Sequence, residues 1–424
     1  MTTNSALVER GAVASSFAGG ASGSAGSSAL AKSKSETSAG ALVIGGSHGS
    51  LCVARSLGRR GIKVRLVTSE PSIAQFSRYV TETYSWSGPD QPGVSVELID
   101  IGRRGGLGGW LLIPGADSEA RLLSQHKTEL SSLFRLKLPD WEQMRWAYDK
   151  KLTYERAASL GLGIPASYHP KGPDDAAKLD CRFPLILKPT VRERKNAFTR
   201  AKAWRVDDRA ALTARYAEAF ALVGADGIVL QELIPGGGEA QFSYAGVWDR
   251  GAPVASLVAR RRRQFPIDFG LTSTFVETID NAEVEGAAVR FLKSIDYSGM
   301  FEIEFKYDSR DARYKILDVN ARSWTWCALG SLAGVDFPYI LWRRAMGDDV
   351  PSCRGKAGVA WMLGARDVMA AGQGMMAGAL TPKEYLRSLR APKVYGAYAA
   401  DDMLPGVMEL ALGGWHYLKR GVPS

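Results

Sequence analysis

The sequence predicts an α/β domain, then a strand-rich α+β domain, then a small, mainly helical C-terminal segment. Three observations carry that expectation. Between residues 41 and 134, short apolar runs alternate with stretches of helical periodicity. From 183 to 321 the apolar runs follow one another closely, as hairpins do. After 350 the helical pattern returns, broken by the irregular "LRAPKVYGAYAADDMLP".

The elements follow in order. Residues 1–39 are Ser/Ala/Gly-rich and cannot bury enough apolar surface to offset their ordering entropy. A disordered tail or a mistranslated extension is expected there. With no Leu/Ile/Val-rich core, this stretch reads neither as a signal peptide nor as a membrane span. "ALVI" opening at Ala41 is a buried-type strand, "SLCVARSLGRRG" a helix closed by Gly61, and "KVRLVT" a second strand. "WLLIP" (110–114) reads as a strand and 117–134 as a helix opened by an acid. These elements make a Rossmann-like parallel domain over 40–147. A helix follows at 149–161, then strands at 183–189, 201–206, 227–234, 241–249, 252–263, 300–308 and 313–321, with helices at 208–223 and 282–295. The second domain is expected over 148–350 and the C-terminal segment over 351–424.

With 424 residues, 46% of them hydrophobic, the chain can hold two or three cores. The net charge of +10 suits an anionic partner without choosing one. Cys52, Cys181, Cys327 and Cys353 lie far apart, without metal-type spacing, which fits a reducing compartment such as the cytoplasm. The four histidines (His48, His126, His169, His416) form no visible triad.

The turn "GGSHGS" invites comparison with the dinucleotide fingerprint, which needs glycine at relative positions one, three and six. Counting from Gly45 places Ser47 and Ser50 there, and counting from Gly46 places His48 and Leu51 there. Neither frame fits, even though Glu70 stands where a ribose-binding acid would, so an NAD-linked oxidoreductase is disfavoured. His48 and Ser50, at a helix N-terminus, remain candidates for holding a substrate anion.

Chemistry concentrates in "GMFEIEFKYDSRDARYKILDVNAR" (299–322). Alternation puts Phe301, Ile303 and Phe305 on one face and Glu302, Glu304 and Lys306 on the other. It also puts Ile316, Asp318 and Asn320 on one face of the next strand. Pairing about the "DSRDAR" loop brings Glu302 or Glu304 near Asp318 and Asn320. Carboxylates with an amide oxygen suit a hard cation such as Mg²⁺, and a solvated charged hairpin would have the same pattern. Arg322 follows, shaped for a phosphate or acyl-phosphate. Lys188 closes the apolar run "FPLILKP". Six basic residues (Arg192, Arg194, Lys195, Arg200, Lys202, Arg205) and the run "RRRR" (260–263) frame this region. In that run Arg260 and Arg262 are expected to point one way, Arg261 and Arg263 the other. Such segments suit either a triphosphate or nucleic acid. "IVLQELIPGGGEAQFSY" combines a strand, a hinge, three glycines and Glu239. It reads as a nucleotide hinge or as a plain hairpin turn.

The order of these pieces over residues 41–350 resembles the ATP-grasp superfamily of ATP-dependent ligases. The matching stretches are "GSLCVARSLGRRGIKV", "DKKLTYERAASLGLGIP", "FPLILKP", "VLQELIPGGGE", and "FEIEF" with "ILDVNAR". The resemblance implies a Rossmann-like pre-ATP-grasp domain and an ATP-grasp domain of two α+β subdomains. It implies that Lys150, with Lys151 as the adjacent alternative, and Lys188 contact ATP phosphates. Gln231, Glu232 and Ile234 would form the adenine hinge and Glu239 would bind ribose. Glu304, Asp318 and Asn320 would hold Mg²⁺ (or Mn²⁺), with Glu302 as the alternative ligand. Arg322, with Lys188, would serve the transferred phosphoryl group. Two departures stand out: "TVRERKNAFTR" lacks the family's phosphate-loop glycines, and Asp318 stands where glutamate is usual. The implied reaction joins a carboxylate, activated by ATP as an acyl-phosphate, to an amine or similar nucleophile. The alternative is a non-catalytic ATP- or nucleic-acid-binding protein on the same scaffold. Small-molecule acids and amines are the expected partners and nucleic acid is disfavoured. The C-terminal segment would cap the site, mediate homodimerisation or dock a partner.

Overall fold

The computed structural model describes residues 39–45, 48–190, 196–201, 203–267, 272–409 and 411–412. The expected N-terminal tail, His416, Lys202 and most of the basic run around 192–195 lie outside these residues.

The first sheet forms from five parallel strands: β1 (Ala41–Ile44), β2 (Val64–Thr68), β3 (Val80–Ser85), β4 (Leu111–Pro114) and β5 (Arg135–Leu136). Their spatial order is β3-β2-β1-β4-β5, so the chain switches direction between β1 and β4. β1 and β4 are buried along their whole length, as their unbroken apolar sequences require. Helices α1 (His48–Gly58), α2 (Val94–Arg104) and α3 (Asp117–Gln125) cross between strands. The stretch expected as one helix over 117–134 divides instead. His126 leaves helical geometry (φ −105°, ψ 21°), and a separate short helix α4 (Lys127–Leu130) follows. Next come α5 (Trp141–Tyr148) and α6 (Lys150–Ser159), the latter capped by the Asp149 carboxylate on the Lys151 N–H at 2.8 Å.

A small antiparallel sheet, in the order β6-β9-β7-β8, is made of β6 (Ser167–Tyr168), β7 (Leu185–Pro189), β8 (Trp204–Val206) and β9 (Ile228–Glu232). Helices α7 (Pro173–Lys178), α8 (Ala197–Arg200) and α9 (Arg209–Val223) accompany it. Leu185, Leu187, Val206, Leu212, Tyr216 and Leu230 give this sheet a core of its own. Alternation along β7 sends Leu185 and Leu187 into that core and leaves Ile186 and Lys188 facing the other way.

The third sheet has eight strands: β10 (Gln241–Asp249), β11 (Ala252–Phe265), β12 (Thr272–Ile279), β13 (Gly299–Asp308), β14 (Arg313–Asn320), β15 (Cys353–Arg354), β16 (Ala360–Met362) and β17 (Lys393–Tyr395). Helices α10 (Ala282–Ser294), α11 (Leu329–Leu332), α12 (Phe337–Met346), α13 (Gly364–Met376) and α14 (Pro382–Ser388) complete the set. The C-terminal stretch, read from sequence as mainly helical, thus also supplies β15, β16 and β17. They extend the third sheet by pairing with β11, with β12 and with each other. Phe301, Ile303 and Phe305 are fully buried and join the core that includes the β1 and β4 residues Leu42 and Leu112. Burial of each contributes about 2 kcal/mol. Among the described residues, no helix is long and apolar enough to cross a membrane.

Two bulges alter the expected faces. Along β14, Glu304 pairs with Asp318 but Phe305 pairs with Ile316, so Leu317 is an extra residue. Ile316 therefore turns into the core with Phe305, and does not share a face with Asp318 and Asn320 as strict alternation implied. Along β11, Arg261 pairs with Val276 and Arg263 with Phe275, leaving Arg262 as the extra residue. Arg261 and Arg263, expected on one face, diverge.

Candidate active site

A cleft of about 520 Å³ lies between the small sheet and the third sheet. Lys188 of β7, Gln231 and Glu232 of β9, Ile234 just beyond, and Glu304 and Asp318 of β13 and β14 all line it. The spacing of these residues along the chain gave no hint of distance in space; the small sheet and the antiparallel strands β13 and β14 of the third sheet bring them together. Gln231 is buried and its amide nitrogen donates to the Ser167 hydroxyl at 3.0 Å. The Glu232 carboxylate is held by Arg310 at 3.0 Å and by the Tyr168 hydroxyl at 3.2 Å, which fixes the hinge strand's end. Gly236 adopts φ +88° in the following turn, where its carbonyl accepts from the Lys306 ammonium at 2.6 Å. Glu239 is exposed and folds back to accept from the Gly237 N–H at 3.0 Å.

At the inner end, the cross-strand register places Glu304 opposite Asp318 and Glu302 opposite Asn320. The four groups have different surroundings. Glu302 is 3% exposed and accepts from the Ser243 hydroxyl (3.0 Å), the Trp326 indole (2.9 Å) and the Asn320 amide (3.1 Å). Burial and the neighbouring Glu304 carboxylate push its carboxyl up to about 7. Glu304 stays open to the cleft, with Arg261 at 3.5 Å and the Asn320 amide at 3.4 Å. Asp318 meets the Lys150 ammonium at 3.0 Å. Burial alone would lower the lysine's pKa, but Asp318, together with Tyr154 and Asp117, outweighs it and raises the value. Lys151 turns away to Asp226 at 3.4 Å, so of the two lysines Lys150 is the one beside the carboxylates. Asn320 turns its oxygen to Arg322 at 2.7 Å. Arg322 in turn reaches Asp117 of α3 at 2.9 Å and so bridges the paired strands to the first sheet.

Among the described residues, no group of three or more His, Cys, Asp or Glu is arranged as a metal site. The available oxygen donors are the Glu304 and Asp318 carboxylates, directly cross-strand and both facing the cleft. Two carboxylates with room for phosphate oxygens and water fit Mg²⁺, which keeps part of its own shell. Glu302 is sealed by three donors, and the Asn320 oxygen is engaged by Arg322.

Sequence reasoning missed several cleft residues. Lys306 shares its face with Glu304 and carried a usable signal, two positions on in the same strand. Arg310 came from what read as a plain loop. It is locked to the fully buried Asp308 carboxylate by contacts of 2.7 and 2.9 Å, and nothing local announces that. The "RRRR" charges are mostly engaged within the chain. Arg261 faces Glu304, Arg262 meets Glu277 at 3.5 Å, and Arg263 forms a buried bidentate pair with Asp367 of α13 at 2.8 Å. Arg260 donates to the Glu239 carbonyl at 2.8 Å. His48 meets Glu409 at 2.9 Å.

Among known proteins, the D-aspartate ligase of Enterococcus faecium is 25% identical over 223 residues, which cover 50% of this chain and 53% of that protein. The chain thus matches about half the length of this curated relative. No protein-family model matches. The biotin carboxylase domain of the Hydrogenobacter thermophilus 2-oxoglutarate carboxylase, solved with MgADP and bicarbonate, superposes with a TM-score of 0.59 at 14% identity. That likeness covers 75% of this chain and 72% of the other. The L-amino acid ligase of Bacillus licheniformis superposes with a TM-score of 0.57 at 15% identity, covering 73% and 74%. The N5-carboxyaminoimidazole ribonucleotide synthetase of Thermus thermophilus gives 0.55 at 17% identity, covering 73% and 79%.

The fold these likenesses define is the ATP-grasp fold.

Proposed function

We propose that the chain is an ATP-dependent carboxylate–amine ligase that forms ADP. One observation carries this reading: the cross-strand Glu304–Asp318 pair sits at the inner end of a cleft that Lys188 and the β9 hinge also line. The resemblance to a D-aspartate ligase and an L-amino acid ligase supports amino-acid-like substrates. Residues 40–147 would be the Rossmann-like pre-ATP-grasp domain, 148–350 the ATP-grasp domain with its two subdomains, and 351–424 an appended segment. Four free cysteines agree with a reducing, cytoplasmic setting. The engagement of Arg261, Arg262 and Arg263 with carboxylates counts against a nucleic-acid surface there.

In this reading the base lies against Gln231, Glu232 and Ile234, ribose meets Glu239, and Lys150 and Lys188 hold phosphate oxygens. Glu304 and Asp318 would hold Mg²⁺, which supplies neutralisation of the triphosphate charge; Asn320 would join them only by releasing Arg322. A carboxylate oxygen of the acid attacks the terminal phosphorus as its bond to the bridging oxygen breaks, leaving ADP and an acyl-phosphate. The amine nitrogen then attacks the acyl carbon and phosphate departs. No protein nucleophile is needed, because positioning and charge neutralisation carry the chemistry. The test is a phosphate-release screen with Mg-ATP over paired carboxylates and amines. Lys188→Ala and Asp318→Ala should each lower turnover by about tenfold or more. Turnover at the wild-type level in both would overturn the site.

A further inference from the structure

A second cavity, of about 480 Å³, lies away from the cleft. Strand β10 connects the two: Gln241 at its start lines the cleft, and Asp249 at its end lines this cavity. The eight steps between them, at about 3.3 Å each, span about 26 Å. The lining comes from α4, the end of β5, the β10–β11 turn and the end of α12. Its volume is in the range of sites for small organic molecules.

The lining is cationic. Lys127, Lys137, Arg250 and Arg344 face the cavity, against Asp249 and Asp348. Asp348 is taken at 2.9 Å by Arg343, which lies outside the lining. Asp249 meets Arg344 at 2.6 Å, but Lys137 only at 3.8 Å, beyond hydrogen-bond reach. Burial alone would raise the Asp249 carboxyl's pKa. The Arg344 hydrogen bond and the charges of Lys137, Arg344 and Arg250 outweigh burial and hold it below the usual range. Three cations thus converge on one carboxylate. Two further acids reach the group, Asp140 on Lys127 and Asp349 on Arg344; both are exposed, so water screens them.

Arg250 stands apart from the other three. Among the described residues its guanidinium has no hydrogen bond or ion pair, while its backbone N–H donates to the Ser298 hydroxyl at 2.8 Å. Asp249 pairs with Ala252, so Arg250 and Gly251 form a two-residue hairpin loop, with φ +49° and +67°. Both angles lie in the left-handed region, where Asn-Gly is the favoured pair and an arginine is conformationally costly. Backbone geometry does not account for an arginine there. The charge it brings to the cavity does.

We propose that this cavity binds a small organic dianion, a phosphomonoester or a dicarboxylate, through Arg250 and Lys137. Lys127 and Arg344 supply the surrounding positive field. Two negative charges match three cations around one carboxylate, and a guanidinium with an ammonium suits an oxyanion. The site stands whether or not the cleft binds ATP.

The full chain is titrated calorimetrically with glycerol 3-phosphate, succinate and acetate at constant ionic strength. At about pH 8 the phosphomonoester is doubly charged. Wild type should bind at least one of the two dianions with a Kd below about 1 mM, and acetate at least about tenfold more weakly. Whichever dianion binds more tightly separates a phosphate ligand from a dicarboxylate. Arg250→Asn should raise that Kd about tenfold and leave the melting temperature equal or higher, because asparagine suits the turn. Lys137→Gln should raise it about fivefold and serves if Arg250→Asn misfolds. Lys188→Ala, in the cleft, should leave the dianion Kd unchanged. Four results would each overturn the proposal. They are binding of neither dianion below about 1 mM, acetate bound as tightly, a Kd unchanged in both cavity variants, or a Kd raised about tenfold in Lys188→Ala.

Discussion

Glu302 and Glu304 stand two positions apart in one strand and have different fates. Glu302 is closed in by Ser243, Trp326 and Asn320, whereas Glu304 opens to the cleft. Glu302→Gln should therefore cost stability, about 2 kcal/mol, because an amide nitrogen would face donors. It should change the Mg²⁺ requirement little. Asp318→Ala should do the reverse, raising the Mg²⁺ needed for half-maximal phosphate release. Denaturant unfolding and a Mg²⁺ titration separate the two effects. Asp308 makes a second residue-scale case. Arg310 and then Lys315 hold its carboxyl well below the usual carboxylate range. Asp308→Asn leaves two cations facing a neutral amide and should cost about 3 kcal/mol in unfolding free energy. It should also loosen Glu232, seen as a higher KM for ATP.

At the scale of elements, the site depends on how two strands break their alternation and on how one helix begins. Lys150 is the first residue of α6, and Asp149 caps that helix through the Lys151 and Leu152 N–H groups at 2.8 and 3.4 Å. Asp149→Ala should cost about 1 kcal/mol and raise the KM for ATP more than it lowers kcat, because the Lys150 anchor frays. The bulge at Leu317 puts both Leu317 and Asp318 on the cleft while Ile316 stays in the core. The bulge at Arg262 sends Arg261 to Glu304 and Arg263 to Asp367. The pairing of Glu302 and Glu304 with Asp318 and Asn320 was readable from the hairpin loop and the alternation of β13. The face of Ile316 was not, because one inserted residue inverts a two-residue period and leaves no mark in composition.

For the whole molecule, the C-terminal residues clasp the first sheet's α1 as well as extending the third sheet. Arg55 and Asp402 form a buried pair at 2.9 Å, and Asp402 also accepts from the Ser77 hydroxyl and the Arg78 N–H. Asp402→Ala leaves the Arg55 guanidinium buried without its carboxylate and should cost about 3 kcal/mol. That loss is measurable by chemical denaturation. Asp401 meets Arg59 twice at 2.7 Å and the Tyr79 hydroxyl at 2.6 Å, and these hold its carboxyl well below the usual range. A carboxyl depressed in the folded state stabilises above its unfolded pKa of about 3.9 and loses that contribution as pH falls toward the folded value. Melting temperature should thus fall on acidification below about pH 4, and less steeply in Asp401→Asn.

By itself the sequence determined the alternation of strands and helices, the inward faces of β1, β4 and β13, and the residue types gathered at the cleft. Apolar periodicity and strand ends are local properties, and they can be read along the chain. Tertiary structure alone decided which glutamate is sealed, which lysine meets Asp318, and that Arg322 is held between Asn320 and Asp117. Each of those outcomes depends on a partner from a distant element, such as Trp326, Asp226 or Asp117, and a side chain's charge state and direction follow its neighbours in space.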